Sequence, residues 1–153
     1  MTHELSIDPA SGALRVAGLA APVVAGQAKA EIAQLLAPFA KGDRDHRNGY
    51  AWLSFTGLAF GGYPCDLALC FFEDRLVELS WNVTLPDAPE ENGWPSRQAI
   101  DDELWFVRQV LEAQLGRSLD KTAFDWGRVW SAFDPKGLIA ANGLRYRQSP
   151  QYR

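Results

Sequence analysis

Residues 75–85 alternate strictly: Val77, Leu79, Trp81, Val83 and Leu85 fall on one side of an extended chain, and Glu78, Ser80, Asn82 and Thr84 on the other. A side-chain period of two belongs to a strand with one buried and one wet face. A chain holding such a strand builds an antiparallel sheet with apolar material over one side only. Two more strand-like runs precede it, at residues 50–58 and 64–72, and in the second Cys65, Leu67, Leu69 and Phe71 share a face. Gly61-Gly62 and Glu73-Asp74 supply the bends between the three.

The flanking segments predict the remaining elements. Leu5 and Ile7, then Leu14 and Val16, flank Asp8, Pro9 and Gly12, which gives an opening hairpin around a turn. Ile32, Leu35, Leu36 and Phe39 recur at helical spacing, so a short amphipathic helix covers 28–39 and ends near Pro38 and Gly42. The best helix runs over 96–115. Ser96 is its N-cap, Asp101, Asp102 and Glu103 occupy early turns where the helix dipole favours acids, and Gly116 follows its end. Its stripe is Ile100, Leu104, Val107, Leu111 and Leu115. A closing hairpin joins 122–133 to 138–147 through Asp134-Pro135-Lys136-Gly137. The order predicts an α+β fold, a mainly antiparallel sheet of about seven strands with two helices packed on one face. No repeat or linker divides the chain, which reads as a single domain over 1–153; a closed or half-closed barrel is the structural alternative.

Composition narrows the function classes. A chain of 153 residues buries roughly 68–70% of its unfolded surface, enough for a core without staples. The net charge of −4 and pI of about 5.1, with no basic stripe, argue against a nucleic-acid partner. The run 41–47 mixes both signs and reads as a solvated loop. Cys65 and Cys70, on one strand, face opposite ways and cannot bridge, so both are small core residues of a reducing compartment. The first residues lack a signal-peptide pattern, and no apolar run approaches the about 18 residues of a membrane span. A soluble, cytoplasmic protein without membrane contact is the expectation.

Catalytic motifs are missing from the reading. His3 and His46 are of the type suited to acid–base work, but no partner is paired with either by the sequence. Around His46, the spacing of Asp43, Asp45 and Asn48 departs from a calcium loop. Gly57, Gly61 and Gly62 match no phosphate loop, and Ser54, Ser80 and Ser131 lack a nucleophile elbow. The acids read as loop solubility and helix charge rather than as a catalytic pair. No catalytic residue, cofactor or metal is therefore expected.

The positive signal is Trp94, set between Gly93 and Pro95 in an acidic, proline-rich loop over 86–95, together with Trp126, Trp130, Tyr146 and Tyr152. Tryptophan and tyrosine carry a disproportionate share of interface energy, and an acidic rim steers a basic partner. Trp81, Trp105 and Trp126 read instead as core or half-buried residues. The candidate partner-binding set is Asp87, Glu90, Glu91, Trp94 and Trp130.

The segment 124–137, with Trp126-Gly127 and the Asp134-Pro135-Lys136-Gly137 turn, followed by Leu144-Arg145-Tyr146, resembles the C-terminal hairpin of small bacterial α+β proteins, among them immunity proteins of toxin systems. The resemblance covers the last fifth of the chain and the order of elements, and no binding residue is carried over from it. It implies a non-enzymatic bacterial protein that binds a cognate basic or toxin-like protein, here through the sheet face and the acidic loop. The alternatives are a small-molecule-binding or hydrolytic domain with its pocket between the sheet and the 96–115 helix, and an assembly component with an exposed strand edge. The sequence leaves the oligomeric state open.

Overall fold

The computed structural model describes residues 2–119 and 123–147. A first hairpin pairs β1 (Leu5–Ile7) with β2 (Leu14–Val16) and is followed by α1 (Lys29–Leu35) and a 3-10 turn over Ala37–Phe39. Next come β3 (Ala40–Asp45), β4 (Tyr50–Phe60), β5 (Tyr63–Phe72) and β6 (Arg75–Val83). A two-residue hairpin of β7 (Glu90–Glu91) and β8 (Trp94–Pro95) leads into α2 (Arg97–Leu115), and β9 (Ala123–Phe124), β10 (Gly127–Asp134) and β11 (Ile139–Tyr146) close the chain. The main sheet is antiparallel, seven-stranded and open, in the order β3-β4-β5-β6-β11-β10-β9. The fold is α+β, as the element order predicts.

Register shows why one face is buried. Leu53, Leu69, Leu79, Leu144 and Val129 stand side by side across five strands, and the next row is Phe55, Leu67, Trp81, Asn142 and Ser131. Ile32 from α1, Val107, Leu111 and Leu115 from α2, and Leu5, Ile7, Leu14 and Val16 from the first hairpin join the same core. Burying each large aliphatic side chain contributes about 1.5–3 kcal/mol relative to exposure, so this layer dominates the fold. Both helices and the first hairpin thus lie over one side of the sheet. Among the described residues no helix is long and apolar enough to cross a membrane.

Several expectations change in detail. The first hairpin is a sheet of its own, and the main sheet instead gains β3 and β9. The mixed-charge run expected as a loop is largely β3, an edge strand whose residues are all exposed but whose backbone pairs with β4. The expected 28–39 helix ends at Leu36, because the chain tightens there into the 3-10 turn containing Pro38, which has no N–H to donate. A bulge opposite Cys70 and Phe71 places Leu76, not Val77, against Phe71 and in the core cluster. Trp81 is 2% exposed, but Trp105, read as core or half-buried, is 67% exposed on the outer side of α2. Ser96 does cap α2, its Oγ accepting from the Ala99 N–H at 3.1 Å, and Gly116 takes the left-handed φ of 71° that stops it.

Candidate functional site

The segment 86–95 is built by its turn residues. Asn92 and Gly93 both have positive φ, 53° and 82°, the geometry that an Asn-Gly pair supports in a tight hairpin, and so Glu91 pairs with Trp94 and Glu90 with Pro95. The Ser96 N–H donates to the Pro89 carbonyl at 3.0 Å, which fixes the hairpin to the capped start of α2. Glu90, Glu91 and Trp94 are thereby brought together, Asp87 lies in the preceding turn, and Trp94 is 70% exposed. One helix further on, Asp101 and Asp102 accept from Arg97 at 3.0 Å and Gln98 at 2.7 Å. They sit one turn before Trp105 and share its side of α2.

Trp130 does not join this group. Its neighbour Ser131 points toward α2, so alternation turns Trp130 to the bare side of the sheet. There it lies over Gly143, where an added Cβ would meet Trp130 Cζ2 at 2.7 Å and the Leu79 carbonyl oxygen at 2.8 Å. Beside it runs a row of small residues, Gly143, Ser80, Ala68 and Ser54. Trp126 and Tyr146, also singled out in the sequence, are structural: Trp126 Nε1 donates to the Pro9 carbonyl at 2.9 Å and the Tyr146 hydroxyl to that of Gly12 at 2.6 Å. Tyr152 lies outside the described residues.

Sequence reasoning missed a polar cluster beneath α2. Glu103 is half-buried, and its Oε2 accepts from the Val83 N–H at 3.2 Å and from Asn142 Nδ2 at 2.9 Å. Asn142, 1% exposed, also donates to the Trp81 carbonyl at 3.1 Å and accepts from the Ser131 hydroxyl at 2.7 Å. Arg108 donates to the Ser131 carbonyl at 2.7 Å. Burial pushes the Glu103 carboxyl above its usual range, and the bonds from Val83 and Asn142 only partly offset this. The signal was present: Glu103 lies three residues after Ile100 and four before Val107, on the apolar stripe and not on the wet side.

Glu103 lines a groove of about 260 Å³ between the first turns of α2, the chain leaving β6 and the start of β11. Its walls include Val83, Leu85, Pro95, Ile100 and Ile139. Among the described residues Oε1 of Glu103 accepts no hydrogen bond, and no group of three or more His, Cys, Asp or Glu side chains is arranged to hold a metal. His3 Nδ1 lies 2.9 Å from the Ala17 carbonyl, with its ring edge-on to Phe39. No protein-family model, no curated protein and no solved structure matches this chain.

Proposed function

We propose that this chain is a protein-binding module whose contact surface is the β7–β8 hairpin together with the outer side of α2. The observation that carries the reading is the exposure of two indoles, 70% at Trp94 and 67% at Trp105, on one hairpin–helix unit. A tryptophan offers about 150–250 Å² for burial and is a favoured interface anchor. Trp105 lies about 12 Å along the helix axis from Arg97, within the span of one ordinary interface. Glu90 and Glu91 share the hairpin with Trp94, Asp87 lies in the turn before it, and Asp101, paired with Arg97, and Asp102 sit one turn before Trp105; these acids are part of the net charge of −4 and favour a basic partner. An immunity-type role in the cytoplasm of a bacterium, covering a site on a cationic toxin, fits this surface. Trp130, on the far side of the sheet, lies outside the footprint.

Groove size weighs against a small-molecule pocket between the sheet and α2, although hollows of about 330, 480 and 500 Å³ lie elsewhere on the surface. At about 260 Å³ the groove falls below the roughly 300–1,000 Å³ of ordinary ligand sites. The test is capture of a partner from a lysate of the source cells, followed by titration of the purified pair. The expected result is one stoichiometric partner, released by raised salt, with Trp94→Ala and Trp105→Ala each weakening binding by at least about tenfold, the scale of an interface hot spot. A partner bound equally well by the double variant would overturn the assignment.

A further inference from the structure

We infer that the groove beside the hairpin seats one lysine side chain of the partner, its ammonium group landing on Oε1 of Glu103. The inference deepens the protein-binding reading and rests on it. Three observations lead there. The groove is continuous with the proposed surface, since Pro95 of β8 and Ile100 of α2 form part of its wall. Its lining of Val83, Leu85, Ile100 and Ile139 suits an unbranched aliphatic stem. Its one carboxylate is held in place rather than swinging freely, because Oε2 is already bonded to Val83 and Asn142.

The same bonds select the cation. A guanidinium fork is best met by two free carboxylate oxygens, and Glu103 offers only one. An ammonium group is a compact point charge on a four-carbon stem, and one carboxylate oxygen in a mostly apolar groove matches it. Burial now disfavours the ionised carboxylate, so a cation placed on Oε1 supplies the charge that the site lacks.

The experiment uses n-butylammonium, the lysine side chain without its backbone, titrated into the full chain and followed by amide nuclear magnetic resonance. The expected result is a saturable shift confined to the Val83, Ala99 and Ile100 amides and the Asn142 side-chain amide. Butan-1-ol should bind about tenfold more weakly, the scale of a hydrogen bond to a charged group, and propylguanidinium should be weaker than butylammonium. Glu103→Gln should remove the preference for the amine. Shifts that do not saturate, equal affinity for the alcohol, or a preference for the guanidinium would each overturn the inference. The alcohol comparison needs no variant, so it stands even if Glu103→Gln does not fold. The probe reports on the groove without any partner, so its failure leaves the tryptophan surface to be judged separately.

Discussion

Glu103 faces two opposing demands, an apolar setting that resists its charge and two donors that favour it. Since burial wins, the folded protein holds the Glu103 proton more tightly than the unfolded chain does. The associated stability is fully present below the ordinary glutamate value of 4.5 and is lost as pH rises through the higher folded value. In urea titrations between pH 4 and pH 8, stability relative to Glu103→Gln should therefore fall as pH rises; a difference that does not change with pH would count against it. The cysteines give a second prediction at this scale. Burial raises the Cys65 and Cys70 thiols to about 12 and about 11, and both are free. A thiol reagent at pH 8 should label neither until denaturant is added, because the thiolate is the reactive form. Gly143→Ala should cost about 1–3 kcal/mol, since the new methyl meets a backbone oxygen as well as the Trp130 ring.

Among the elements, α2 depends on a local device that can be removed cleanly. Ser96→Ala deletes the bond to Ala99 and should destabilise the fold by about 1 kcal/mol in denaturant unfolding. A loss of zero would mean that the hairpin, not the cap, sets where α2 begins. This cap was legible in the sequence, as were β4, β5 and β6, because each is written in local chemistry or in a face that must be buried. The strand β3 was not legible: an edge strand wet on both sides has a paired backbone but no apolar alternation to announce it. Asn92-Gly93 announced the β7–β8 hairpin, but the three prolines around it favoured a loop. The bulge in β6 was hidden because Leu76 and Val77 are both apolar and either one continues the pattern. Within the candidate site, Trp94, Asp87, Glu90 and Glu91 could be picked out from their place in the 86–95 segment, whereas Trp105 could not. The Glu103–Asn142 bond spans 39 residues and needed the fold to bring its ends together.

For the molecule as a whole, the exposed edge at β3 presents unpaired backbone groups to which a second chain can add. Lys41, Asp43, Arg44 and Asp45 place charges along it, and charged edges resist strand-to-strand association. Replacing Asp43 and Arg44 together by valine should produce concentration-dependent self-association in size-exclusion chromatography with light scattering. A molar mass unchanged from that of the parent protein at high concentration would show that the irregularity between Ala40 and Gly42 protects the edge by shape alone. The opposite end of the story lies in the first hairpin. Gln114 acts as a strand partner for β1, accepting from Ile7 at 3.0 Å and donating to Leu5 at 3.2 Å, while Trp126 and Tyr146 hold the turn at Pro9 and Gly12. These ties span 107 to 134 residues. During synthesis on the ribosome, this hairpin can meet β4 early, through Ala59 and His3, but its seat is complete only once Gln114, Trp126 and Tyr146 have been made.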